Sequence, residues 1–119
     1  AIGIKNVRRV NPNELDKVKE VINWAMELDD ISVIITDWPC VLKKRYQPED
    51  FEKYNQMWQT KDYVDQDLCV GCKACLRCGC PSLVFDPEKK KVSIDENTCV
   101  GCDVCLQICP YDAIKKVGE

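Results

Sequence analysis

Nine of the ten cysteines in this chain lie between Cys69 and Cys109. Two groups of three share one spacing, because the segment Cys69–Cys75 recurs as Cys99–Cys105. Each group is followed by a Cys-Pro pair, Cys80-Pro81 in the first copy and Cys109-Pro110 in the second. Cysteines at this density indicate either a disulfide framework or a metal site.

The spacing of the second copy, C-x2-C-x2-C-x3-C-P, is typical of bacterial proteins with two four-iron, four-sulfur ([4Fe–4S]) clusters. Three thiolates this close must wrap around one face of a compact cluster, which a tight loop allows and a straight helix or strand does not. The fourth thiolate comes from the other copy. We therefore predict one cluster on Cys69, Cys72, Cys75 and Cys109, and a second on Cys99, Cys102, Cys105 and Cys80.

Other uses of these cysteines are less favoured. Four-cysteine zinc sites use two separated pairs rather than triads, and disulfides are favoured in small secreted proteins. The chain has no histidine, which excludes Rieske centres and cysteine–histidine zinc sites. Cys78 could replace Cys80 as a ligand, but only Cys80 precedes proline as Cys109 does. Cys40, alone after Pro39, is interpreted as a buried small hydrophobic residue.

Composition and charge exclude several functions. The net charge is −3, from 17 basic and 20 acidic residues, without the clustered basic surface that nucleic-acid binding needs. No apolar run approaches the roughly 20 residues of a membrane span. The first residues contain no charged leader followed by a long apolar stretch, so we expect no signal peptide and a cytoplasmic location. We find no acid–base pair, nucleophile or phosphate loop, and therefore expect no catalytic site in this chain.

The elements that position the cysteines fall into three regions. Residues 1–45 are predicted as a strand, a helix capped by Asn13, and a buried strand over 31–36. Because strand–helix–strand units usually belong to larger parallel sheets, we expect the remaining strands elsewhere. Residues 46–62 are predicted as a linker.

Residues 63–119 carry the internal repeat, and each Cys-Pro pair is followed by a short apolar strand. Residues 84–94 between the copies are predicted as a hairpin with a charged tip. Gly71 and Gly101 stand where the backbone must approach a cluster and direct amide groups at its sulfurs. The predicted fold class is α+β, a bacterial 2[4Fe–4S] ferredoxin-type domain with a pseudo-twofold repeat.

The combination of this domain with what precedes it is specific. Residues 1–12 (AIGIKNVRRVNP), the helix, and residues 32–42 (SVIITDWPCVL) resemble the end of the thiamine-diphosphate domain in the large subunit of indolepyruvate ferredoxin oxidoreductases. The lengthened first copy, which ends in Gly79-Cys80-Pro81, also resembles that family. Cys78 is unusual within the resemblance.

The resemblance implies a place in a larger enzyme. Members of the family convert an aryl 2-oxoacid and coenzyme A to the acyl-coenzyme A and carbon dioxide, and pass electrons to an external ferredoxin. This chain would be the C-terminal part of such a subunit, with thiamine diphosphate and magnesium held by the remainder. It lacks a Gly-Asp-Gly sequence followed by a downstream Asn pair. The alternative is a separate ferredoxin-like subunit whose N-terminal arm docks on another oxidoreductase.

Overall fold

The computed structural model describes residues 2–38 and 61–118, and each range forms one compact unit. The Cys40 interpretation and most of the predicted linker lie outside the described residues. Within the two described ranges, no helix is long and apolar enough to cross a membrane.

The N-terminal unit is a strand–helix–strand, as predicted. Strand β1 (Asn6–Val10) is followed by helix α1 (Leu15–Glu27) and strand β2 (Ser32–Thr36). The two strands are parallel, with Val7 opposite Val33 in the register. A helical crossover is the connection that parallel strands require.

The helix begins one residue later than predicted. Asn13 is not its cap, because Glu14 occupies the N-cap position and Val18 donates to the Glu14 carbonyl at 3.0 Å. The Asn11 side chain organises the preceding turn, since its Oδ1 accepts from the Asn13 amide at 3.0 Å. Local side-chain hydrogen bonds of this kind compete with capping at neighbouring positions.

The second strand is not fully buried within this unit, and its prediction as a buried strand assumed further strands elsewhere. No β2 residue is fully buried, and the apolar residues Ile31 and Ile35 are 68% and 39% exposed. One helix can cover only one face of a two-stranded sheet, because successive side chains of a strand point to opposite faces. The unit therefore buries little of its own apolar surface.

The C-terminal unit consists of two antiparallel strand pairs and two short helices. Its elements in chain order are β3 (Asp62–Val64), a 3₁₀ helix (Ala74–Cys78), β4 (Leu83–Asp86), β5 (Lys91–Ile94), α2 (Val104–Ile108) and β6 (Ile114–Lys116). Strands β4 and β5 form the predicted hairpin, and β3 pairs with β6. Strand β3 was not predicted, and its first residue falls in the range interpreted as linker.

The cysteines lie at the centre of this unit rather than at its edge. The buried cluster contains one cysteine from each triad among branched aliphatic residues: Val64, Cys75, Leu83, Val92, Cys105 and Ile114. Other cysteines pack against it, namely Cys69, Cys78, Cys80 and Cys109. Thiol groups therefore occupy much of the interior, where a larger domain would place hydrocarbon.

Candidate iron–sulfur centres

The two cysteine loops share one backbone conformation. Gly71 and Gly101 occupy equivalent positions in the two copies and have φ angles of 70° and 64°. Lys73 and Asp103 occupy the next equivalent pair, also left-handed, with φ angles of 62° and 61°. Each loop then enters a short helix, so the sequence repeat is also a structural repeat.

The copies differ where the first is one residue longer. In the second copy the helix ends at Ile108, and Cys109 follows in an extended conformation. In the first copy Gly79 ends the 3₁₀ helix with φ 70°, a left-handed conformation that suits glycine. Gly79 is therefore the extra residue that turns the chain before Cys80. Cys78, as the last helical residue, is the counterpart of Ile108.

The structure brings together the four cysteines predicted for the first cluster. Cys69, Cys72, Cys75 and Cys109 line one cavity, with about 330 Å³ of empty space including its open mouth. Burial raises the pKa of the Cys75 thiol, and the negative charges of Cys109, Cys72 and Cys69 raise it further. A thiol from the second copy thus stands among three from the first.

The cysteines predicted for the second cluster also meet, together with Cys78. Burial raises the pKa of Cys102, and the charges of Cys80 and Cys99 add to that rise. The pKa of Cys105 is also raised, first by burial and then by neighbouring negative groups that include Cys102, Cys78 and Cys80. Both cysteines at the end of the first copy therefore lie near this triad.

The donor set fits a cationic iron–sulfur group. All nine cysteines of the described residues are free thiols. Each group of four would carry crowded, poorly hydrated negative charge if it ionised, and bound metal cations offset that cost. Among the described residues, no three such side chains converge closely enough to hold a single metal ion. A cluster of several iron and sulfide atoms spans more space, so its ligands stand further apart.

Backbone groups approach the cysteines, although for two different reasons. The Gly101 amide donates to the Cys99 sulfur at 3.4 Å, as expected for a backbone that points N–H groups at cluster ligands. At Gly71 the close neighbour is the turn that connects β4 to β5. A Cβ there would lie 1.9 Å from the Lys90 carbonyl oxygen. Gly71 is therefore required by the tip of the β4–β5 hairpin as well as by its φ angle.

Alanine at Gly71 is expected to lower the free energy of unfolding by roughly 2–4 kcal/mol, because a clash with backbone adds to left-handed strain. Gly79→Ala is the matched control, since its φ is also 70° but nothing lies within 4 Å of the added Cβ. It should cost about 1–2 kcal/mol. Denaturant titration of the anaerobically prepared chain measures both. Equal losses would contradict the role of the Lys90 contact.

Two carboxyl groups beside the second triad were missed by sequence reasoning. Asp62 is 1% exposed, and the Cys105 thiol donates to its Oδ2 at 3.7 Å. Burial and the neighbouring Asp103 raise the pKa of Asp62 to about 6. Asp103 also pairs with Lys116 at 2.7 Å. The sequence feature that could have identified Asp62 is the alternation of side chains along β3, which places Asp62 on the same buried face as Val64.

Known proteins are similar in sequence to this chain. Residues 61–115 match a family profile described as "4Fe-4S dicluster domain". The whole chain is 36% identical to the indolepyruvate oxidoreductase subunit IorA of Pyrococcus abyssi and 34% identical to that of Thermococcus kodakarensis. It spans only 18% of the length of either relative. Half of the chain also aligns with 98% of the crystal structure of ferredoxin I from Desulfovibrio africanus, with 28% identity and a TM-score of 0.45.

The two triads, the cavity at the first of them and the family match all indicate the same kind of domain. Nine free thiols form two groups in a repeat that the dicluster profile covers almost completely. Residues 61–115 are therefore a 4Fe–4S dicluster domain that carries two [4Fe–4S] clusters, in a chain related over its whole length to the IorA subunits of indolepyruvate oxidoreductase.

Proposed function

We propose that this chain relays electrons, one at a time, as part of an indolepyruvate-type 2-oxoacid:ferredoxin oxidoreductase. The observation that carries the proposal is the joint match of both units to IorA, with the dicluster domain inside it. A [4Fe–4S] cluster accepts and releases single electrons without a change in its protein ligands. The 2-oxoacid chemistry, thiamine diphosphate and magnesium belong to the remainder of the enzyme, and an external ferredoxin receives the electrons.

We further propose the crossed ligand assignment. Cys69, Cys72, Cys75 and Cys109 hold the first cluster, and the shared cavity of these four residues supports this. Cys99, Cys102, Cys105 and Cys80 hold the second. Cys80 is preferred over Cys78 because each proposed fourth ligand follows the end of a helix, whereas Cys78 lies inside one. The Cys78 side chain then packs against the core without binding iron.

In this role the protein residues hold charge and exclude water. The buried aliphatic residues around the triads keep the ligands in a low-dielectric interior, which limits reorganisation when charge changes. The crossed ligands tie the two copies together, so that both centres lie within one small unit. The alternative of a separate ferredoxin-like subunit is less favoured, because residues 1–60 are also covered by the similarity to IorA.

Anaerobic purification with iron and sulfide analysis, followed by EPR spectroscopy of the reduced chain, tests the proposal. Two reducible [4Fe–4S] signals are expected. Zinc in an oxygen-free preparation, or cysteines joined to each other, would overturn it. The link to the larger enzyme is tested separately. The full-length oxidoreductase should lose ferredoxin reduction but keep thiamine-dependent decarboxylation when its first triad is mutated.

The first cluster is expected to have the higher reduction potential. Lys73 lines its cavity, and its ammonium lies 4.0 Å from the centre of the Phe85 ring. The equivalent residue in the second copy is Asp103, which stands beside Asp62. A nearby cation stabilises the more negative reduced state, and a carboxylate disfavours it.

Lys73→Glu should therefore shift the potential of the first cluster downward, as measured by EPR-monitored redox titration. Lys73→Arg keeps the charge and serves as the control, with a potential close to that of the unmodified chain. An unchanged potential in Lys73→Glu would show that solvent screens this side chain completely.

A further inference from the structure

The two cysteine loops differ in how much of each reaches the surface. In the first loop Val70 is 58% exposed and Cys72 is exposed, while Tyr111 at the mouth of the same cavity is 51% exposed. In the second loop the equivalent residues, Val100 and Cys102, are half-buried, and Cys99 and Gly101 are buried. The first cluster site is therefore the one that opens to solvent in this unit.

Lysine side chains border the exposed loop. The β4–β5 hairpin tip carries Lys89, Lys90 and Lys91, and its Lys90 carbonyl directly faces Gly71. The Lys91 ammonium donates to the Gln66 carbonyl, just before the loop. We call these three residues and Lys73 in the loop itself, four lysines in all, the lysine rim. Acidic residues at the tip are Asp86, which lies 3.9 Å from the Lys89 ammonium, and Glu88.

The two loops differ in the groups beside their triads rather than in the turns that lead into them. Each turn carries two acidic residues, Asp65 and Asp67 before the first loop and Asp95 and Glu96 before the second. Beside the second triad lie two further carboxyl groups, those of Asp62 and Asp103. Two lysines contact groups of the second loop. Lys116 pairs with Asp103, and the Lys61 ammonium donates to the Cys99 carbonyl. Its exposure and the lysines of the adjacent hairpin tip therefore single out the first loop as an electron exit.

We propose that the exposed part of the first cysteine loop, with Val70 and Tyr111 at its centre and the lysine rim at its edge, is the docking surface for an acidic protein that carries single electrons. This inference rests on the proposed electron-transfer function and adds the site and charge of the partner. An apolar centre with a charged rim is a usual anatomy for transient interfaces. Complementary charge speeds the encounter of such partners without requiring tight binding.

The transfer itself is a simple exchange. One electron leaves the reduced chain and enters the carrier, so the chain is oxidised by one electron and the carrier is reduced by one electron. No bond forms or breaks. The surface has only to bring the two redox centres close and to release the carrier afterwards, which suits a small interface whose charges are screened by salt.

The experiment measures electron transfer from the photochemically reduced chain to a purified acidic plant-type [2Fe–2S] ferredoxin by stopped-flow absorbance. Lys89→Gln/Lys90→Gln removes two positive charges from the rim, and Lys89→Glu/Lys90→Glu reverses them. The matched control, Asn97→Asp/Gln107→Glu, adds two negative charges at exposed positions beside the second triad. Both residues have the same size as their replacements. Reduction of the neutral acceptor metronidazole reports transfer that needs no docking.

At low ionic strength we expect the second-order rate constant to fall about threefold in the glutamine variant and about tenfold in the glutamate variant. The control should change it much less, and high salt should remove the differences. The docking surface would be overturned if the control lowered the rate constant as much as the rim variants do. It would also be overturned if the rate constant at low salt did not depend on the charge of the lysine rim. If metronidazole is not reduced and EPR shows no clusters, the proposed function itself fails.

Discussion

Replacing Cys109 with alanine is expected to eliminate the cluster of the first triad, although Cys109 belongs to the other copy of the repeat. The cavity lined by Cys69, Cys72, Cys75 and Cys109 supplies the reason, because removal of one of four ligands leaves an open and unstable site. Iron and sulfide content should fall to about half of the unmodified value. EPR should show that the remaining signal is that of the lower-potential centre.

The mirror variant and its control identify the crossing. Cys80→Ala should remove the second cluster and leave the first intact. Cys78→Ser should retain both, because we assign Cys78 to packing rather than to ligation. If Cys109→Ala instead destroyed the cluster of its own copy, the ligands would not be crossed. If Cys78→Ser lost a cluster and Cys80→Ala did not, the two residues would exchange roles.

Removal of iron with a chelator under reducing conditions is expected to abolish the tertiary structure of residues 61–118. Cysteines form a large part of the core of this unit, because Cys75 and Cys105 belong to its buried cluster and four more cysteines pack against that cluster. The buried aliphatic residues are few, and the single core of a domain this small rarely supplies more than about 3–5 kcal/mol of stability. Because the site does not form in the unfolded chain, the free energy of cluster binding is also the free energy of folding.

Amide hydrogen exchange measures this loss strand by strand. Protection in β3 to β6 should disappear in the iron-free chain, since these strands enclose the triads. Anaerobic addition of iron and sulfide should restore it, which is the control for irreversible damage. Full protection of these strands without iron would contradict the coupling of folding to cluster binding.

Most of the elements near the triads could be predicted because local sequence decides them. The β4–β5 hairpin, the loop repeat and the short strands after each Cys-Pro pair follow from alternating apolar residues and turn signals. The N-terminal strand–helix–strand follows from periodicity in the same way. The errors were equally local. Asn11 rather than Asn13 organises the turn before α1, because competing side-chain hydrogen bonds decide which residue becomes the cap.

The apolar composition of β2 predicts a buried strand, but it does not reveal which segment covers that strand. Ile31 and Ile35 are as hydrophobic as residues of a buried strand, yet they remain exposed in this unit. Burial depends on the number of layers that pack against a sheet, which is a property of the whole domain. We therefore still expect the missing strands in the remainder of the enzyme.

The sequence by itself determined the chemistry of this protein, because cysteine spacing decides which thiolates a short loop can direct at one cluster. It determined neither the surroundings of each cluster nor their exposure. Only the tertiary structure places Asp62 against Cys105 and the Lys90 carbonyl against Gly71, because both contacts join segments far apart in the chain. Ligand identity is a local property, whereas local charge and access to solvent depend on which distant segments the fold brings alongside.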